Sequence, residues 1–417
     1  MKKTDILNQI SNIMSKDAAC CKDKKDEAYD NYVKLIHENM SDNEFLLIVN
    51  SYLATFGLTG HLFFKKQGHK GLPFRVCRYG DILYVIEVTR DSVMSVGDKI
   101  VEINGASVKT FYEKYESCFY GETPERQTPH WNFILKYADE IGYITNTTDK
   151  IQHWKVELFD WDSSELPYSF RKINSDVAYL KFKDFVDSTG ILTLLQEYDL
   201  EICNTKNLII DVRGNGGGNS FAFYPLLKYW LPNSKTLNDF ALNDSGMLQY
   251  GQEILYSERN CDVRIEIFEE FMNNHLSEAD KSIFIQAIAE LKAKRGNGFV
   301  KETEEYDSEV VGDSNVEKVY ILTDSSCCSA GDEFVYIFKM LPKVTVVGRS
   351  TQGILDYSNV AYSLFNEYAL VYPTSRLLAL DHGEGLMGKG VEVDDYIPWT
   401  PEHLERDVDL EYVLKNF

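Results

Sequence analysis

The chain has 417 residues, 44% of them hydrophobic and 13% aromatic, enough for one large core with one or two smaller units. Its 43 Lys and Arg against 65 Asp and Glu give a net charge of −22, which argues against a surface built for nucleic acid or anionic membrane, because polyanions are repelled. Eight cysteines include the adjacent pairs Cys20-Cys21 and Cys327-Cys328, with no CxxC and no histidines at zinc spacing, so reduced thiols and no metal or cofactor are expected.

The N-terminus holds no apolar core of secretory length, since Asp5, Asn8, Gln9 and Asn12 interrupt it. No run approaches the ~20 apolar residues of a membrane span, and a cytoplasmic protein is the expectation. Apolar residues at three- and four-residue steps predict helices in "DEAYDNYVKLIHENM" and "DNEFLLIVNSYLATF", the second capped by Ser41-Asp42. At "GHLFFKKQG" the pattern turns strand-like, with His61 at the change. "FRVCRYGDILYVIEVT" reads as a hairpin turning at Gly80-Asp81, and "VGDKIVEINGASV" as a strand closed by Asn104-Gly105. This last piece resembles a recurring part of the peptide-binding PDZ module.

From about residue 140, "DVAYLKFKDF", "GILTLLQEYDLEICN" and "KNLIIDVRGNGGGN" read as strand, helix and buried strand, a β-α-β crossover ending in a glycine-rich loop. Residues 222–310 form a charge-rich insertion holding the helix "SEADKSIFIQAIAELKAK" behind a Ser-x-x-Asp cap. The acidic stretches "KETEEYDSE" and "EVDDY" lack calcium-loop spacing. "EKVYILT", "AGDEFVYIFKML" and "KVTVVGRST" then read as strand, helix and strand, and "DVDLEYVLKNF" as a closing helix. The reading is a mixed α/β multidomain chain: a helical region 1–67, a PDZ-like β unit 68–138, and an α/β core 139–417 carrying the insertion.

The four glycines of "RGNGGGN" allow positive φ and can point amides into one concavity, suited to a phosphate or an oxyanion. The loop lacks the Lys-Ser/Thr ending of a P-loop. Ser329 stands just before "AGDEFVYIF", at a helix N-terminus whose free amides favour developing negative charge, whereas Ser325 and Ser326 read as loop or cap residues. An ordinary N-cap is the alternative reading of Ser329. Cys327 and Cys328 precede those amides and read as buried thiols rather than nucleophiles.

In order, "NLIIDVRGNGGG", "VYILTDSSCCSAGDE", "VTVVGRSTQG" and "GKGVEVDDYIPWT" resemble segments of the tail-specific (C-terminal processing) and tricorn-core serine peptidases, over roughly residues 40–417. The resemblance implies a crotonase-like or ClpP-like core, polypeptide substrates and a PDZ-like unit ahead of the catalytic sheet. It makes Ser329 the nucleophile, with oxyanion donors at the Ala330 amide and at Gly216 or Gly217. The processing branch uses a lysine where this chain has Ile354, so the tricorn-type base, a histidine after an early helix, is expected at His61, ahead of His69, His130 and His382. Met387 stands where the orienting acid belongs; Glu384, or Asp381, is the nearest substitute. A serine endopeptidase follows, or alternatively a weakened peptidase scaffold that binds peptides or apolar ligands.

Overall fold

The computed structural model describes residues 1–417 apart from 59, 122, 162–164, 241–245, 273–277 and 304–308. The Ser-x-x-Asp cap at Ser277 and part of "KETEEYDSE" therefore lie outside the described residues. Contacts divide the chain into two units, each assembled from three separate stretches. One comprises Met1–Gly68, Gly246–Glu304 and Asp356–Gly385; the other comprises His69–Ser245, Glu305–Leu355 and Leu386–Phe417. This division differs from the three-part reading of the sequence, because the strand Phe63–Lys66 that follows the N-terminal helices shares a sheet with strands from the expected insertion.

In the first unit, Tyr368–Leu377 is the central strand of a five-stranded antiparallel sheet. Tyr357–Phe365 pairs along one edge of it, from Tyr357 opposite Arg376 to Phe365 opposite Tyr368. Phe63–Lys66 and Gln252–Tyr256 share its other edge, and Gly298–Glu302 extends the sheet beyond the latter. The helix Lys3–Lys16 buries Ile6, Leu7, Ile10, Ile13 and Met14, the stripe that its three- and four-residue spacing dictates. Asp42–Ala54 is capped by Ser41, whose hydroxyl accepts from the Glu44 amide at 3.1 Å. The helix expected over residues 26–40 reduces to the short turns Tyr29–Tyr32 and Val33–Leu35. Neither turn buries a side chain, so no apolar face holds a longer helix there.

The second unit holds two sheets. One orders Phe74–Tyr79, Ile82–Val88, Lys99–Ile103, Glu140–Ile144 and Gln152–Lys155, all antiparallel, with Ala106–Ser107 paired to the third. Its first two strands meet across Gly80-Asp81, and Asn104-Gly105 makes the next tight turn, both residues at positive φ. The other sheet orders Asp395–Tyr396, Val344–Gly348, Lys318–Thr323, Asn207–Asp211, Val177–Phe182 and Tyr168–Lys172, parallel except for the last pair. Its three central parallel strands, Val177–Phe182, Asn207–Asp211 and Lys318–Thr323, are apolar runs buried on both faces. One cluster on this sheet joins Tyr179, Ile209, Tyr320 and Leu322 to Leu410 and Val413 of the helix Val408–Lys415. The helix Ala330–Lys339 packs Phe334 and Phe338 against Phe223 and Trp230. The strands Asn207–Asp211 and Lys318–Thr323 are neighbours, so the two loops leaving their C-terminal ends emerge side by side. No described helix is long and apolar enough to cross a membrane.

Candidate active site

The glycine loop leaves its strand through an ion network that fixes its first turn. Arg213 donates to Asp211 at 2.6 Å, to Asp407 at 2.8 Å and to Asp409 at 2.9 Å. Arg349, just after the strand Val344–Gly348 two places along the sheet, reaches Asp409 at 2.6 Å, and His403 Nε2 lies 3.3 Å from the same carboxylate. Burial works against the charge on Asp409, but His403, Arg349 and Arg213 hold its carboxyl well below the usual carboxylate range.

The two loops are stitched together by main-chain and side-chain groups. Asp324 Oδ1 accepts from the amides of Gly214 at 3.0 Å and Ser326 at 2.9 Å. The carbonyl of Asn215 accepts from the Cys328 amide at 2.9 Å, and the Asn215 side chain donates to the Phe182 carbonyl at 3.0 Å. Gly217 abuts the serine so closely that a Cβ there would lie 2.7 Å from Ser329 Cβ and 3.1 Å from the Ala330 nitrogen.

Ser329 is half-buried at the N-cap of Ala330–Lys339, with φ 58° and ψ −122°. A non-glycine residue held in such a sparsely populated region is the strained strand-to-helix turn that lifts a nucleophile clear of its neighbours. Asp332, wholly buried, enforces it: Oδ2 accepts from the Ser329 amide at 2.9 Å and the Ile354 amide at 3.0 Å, and Oδ1 from the Gly353 amide at 2.8 Å. Ser325 is committed elsewhere, its hydroxyl donating to the Glu125 carbonyl at 2.6 Å. Burial pushes the Cys328 thiol up to about 12 and that of Cys327 well above its ordinary value, so neither forms a thiolate at neutral pH.

Two expectations change here. The amides of Gly216 and Gly217 are engaged, by the Lys183 carbonyl at 3.0 Å and by Asn215 Oδ1 at 2.9 Å. Among the described residues none accepts from the amides of Gly218 or Ala330. Glu384 is exposed and accepts from the Tyr250 hydroxyl at 3.0 Å, and Asp381 pairs with Arg376 at 2.7 Å.

His61, in the first unit, sits between its helix and strand at φ 57°. Its Nδ1 lies 2.7 Å from the Tyr357 carbonyl oxygen. A carbonyl only accepts, so Nδ1 carries the proton and the neutral ring keeps its lone pair on Nε2, the tautomer of a general base. Nδ1 thus meets a main-chain oxygen rather than a carboxylate. His69 is exposed, His382 stacks on Tyr250 with ring centroids 4.0 Å apart, and His130 packs against Tyr120. Ile354, at the lysine position of the processing branch, is 8% exposed and Met387 is half-buried. Sequence reasoning missed Asp332 and Asp409. The first was visible in "SAGDE" only as a helix-opening acid, and the second lay far along the chain without any motif.

A strained serine opening a helix beside a glycine loop, at the C-terminal edge of a parallel sheet, defines a serine-type peptidase. The sequence profile of peptidase family S41 matches residues 176–397, and the chain belongs to that family. Among solved structures it is similar to mature CPAF complexed with lactacystin, at 14% identity and a TM-score of 0.63, over 100% of this chain and 97% of that one. Mature CPAF alone matches at 14% identity and a TM-score of 0.62, over 100% and 96% of the two chains. The photosystem II D1 C-terminal processing protease is also similar, at 13% identity and a TM-score of 0.47, over 100% and 97%.

Proposed function

We propose that the chain is an endopeptidase that cleaves polypeptides through an acyl-enzyme on Ser329, with His61 as general base. His61 Nε2 takes the hydroxyl proton as Ser329 Oγ attacks the scissile carbonyl. The Ala330 amide stabilises the oxyanion, joined by the Gly218 amide in place of those of Gly216 and Gly217. The imidazolium then protonates the leaving amine, and water, activated by the same ring, hydrolyses the ester. Losing one oxyanion donor of this kind costs about 3 kcal/mol of barrier. The antiparallel sheet of residues 74–155 serves, on this reading, as a PDZ-like unit for extended peptide.

The observation that carries the reading is the φ 58°, ψ −122° turn at Ser329, fixed by Asp332 with Gly217 against its Cβ. Intact-mass labelling with a fluorophosphonate probe tests it on the native protein, Ser329→Ala and His61→Ala. One adduct is expected, absent in Ser329→Ala and strongly slowed in His61→Ala. No adduct on well-folded native protein would overturn the proposal in favour of a ligand-binding scaffold.

A further inference from the structure

Within the first unit, the carbonyl that holds His61 belongs to a residue fixed by a closed ring of contacts. Tyr357 opens its strand, and its backbone pairs with that of Arg376. The Tyr357 ring is buried, and its hydroxyl donates to Asp23 Oδ2 at 2.7 Å. Asp23 in turn receives Arg376 Nε at 2.8 Å on one oxygen and Nη2 at 3.0 Å on the other, a bidentate grip. The ring thus runs from the Tyr357 backbone across the ladder to Arg376, through its guanidinium to Asp23, and back through the phenol. Arg376 is 1% exposed and also meets Asp381 at 2.7 Å and Glu253 at 3.4 Å. Lys22 pairs with Glu253 in turn.

Removing a guanidinium from water carries a heavy desolvation penalty, and apolar residues of the same volume often stabilise a fold as well or better. Stability alone therefore does not account for a buried arginine joined to two carboxylates from distant stretches and to Asp381 close by in the chain. This network closes around the residue that carries one carbonyl, at the first position of a strand. We infer that Asp23 and Arg376 are positioning residues for the general base, acting through Tyr357 to aim the carbonyl that fixes the tautomer and orientation of His61.

This deepens the reading of His61 as the base and rests on it. The test uses the full chain and the fluorophosphonate probe, separating the maximal labelling rate from the probe concentration giving half that rate. Tyr357→Phe removes only the hydroxyl and Asp23→Asn removes the charge it meets. Each is expected to lower the maximal rate by about tenfold to a hundredfold, the effect of misplacing a reacting group by less than an ångström or so, with the half-saturating concentration unchanged. In a His61→Ala background neither substitution slows labelling further, because the path through the imidazole is already gone. A wild-type rate in both variants, or equal losses with and without His61, would sink the inference. If His61→Ala itself labels normally, the reading of the base fails first, and the two failures are thereby told apart. Far-ultraviolet spectra and thermal unfolding of each variant separate loss of fold from loss of aim.

Discussion

Gly214 and Gly217 lie three residues apart in one loop, at φ 73° and 83°, and so make a matched pair for substitution by alanine. Either alanine suffers the left-handed backbone penalty of about 1–2 kcal/mol. Beyond that the sites diverge. A Cβ on Gly214 meets nothing within 4 Å, whereas one on Gly217 falls 2.7 Å from Ser329 Cβ and 2.8 Å from the Cys328 carbonyl oxygen. Those neighbours are backbone or directly attached to it, so relief requires the loop to withdraw from the serine, at a further cost of about 1–3 kcal/mol. Gly217→Ala should therefore destabilise by roughly 2–5 kcal/mol and Gly214→Ala by only 1–2 kcal/mol. On the proposed mechanism, moving the loop also misplaces an oxyanion donor, which typically lowers the rate by ~10²–10³. Urea unfolding and fluorophosphonate labelling of both variants measure the two effects. If Gly217→Ala labels as fast as Gly214→Ala, the loop does not serve the serine and the site has been misassigned.

Three further outcomes are expected. Burial pushes the Asp332 carboxyl up from 3.8 to about 6, against the pull of Thr351 and of the Ile354, Gly353 and Ser329 amides. A carboxyl whose pKa rises on folding stabilises the fold most when protonated, so its contribution is whole below about pH 4 and is lost as the pH rises through about 6. Wild-type stability relative to Asp332→Asn should accordingly fall by up to about 3 kcal/mol over that window in urea titrations, and a flat difference would contradict the assignment. Asp409→Ala leaves Arg213 and Arg349 without the carboxylate they share, at 2.9 and 2.6 Å, and should destabilise by about 3–5 kcal/mol; a loss under 1 kcal/mol would show the network to be dispensable. Iodoacetamide at mildly alkaline pH should leave Cys327 and Cys328 unmodified in the native protein, since burial pushes both thiols up; rapid alkylation of either, read by peptide mapping, would reopen cysteine as nucleophile.

What the sequence displayed was local chemistry. "NLIID" and "KVYILT" are apolar enough to be parallel strands, and the residues directly after each strand are those that close on one another. Ser329 stood out because a serine before an amphipathic helix has a physical reason to be there. Turns at Gly80-Asp81 and Asn104-Gly105 were legible because their backbone geometry demands those residue types. What stayed hidden was pairing across distance. The oxygen that holds His61 comes from the main chain of Tyr357, and a main-chain oxygen has no residue signature, so a carboxylate such as Glu384 was sought instead. The engagement of the Gly216 and Gly217 amides depends on Lys183 and on the rotamer of Asn215, neither of which spacing reveals. The helix expected over 26–40 gives way to the short turns Tyr29–Tyr32 and Val33–Leu35, and only Ile36 and Met40 beyond them reach the core.

The buried aspartate at 409 also sets an order of events. During synthesis the strands, the glycine loop and Ser329 all emerge before it does. Until then Arg213 and Arg349 face an interior that lacks the carboxylate they share. The helix Val408–Lys415 thus completes the ion network at the foot of the glycine loop.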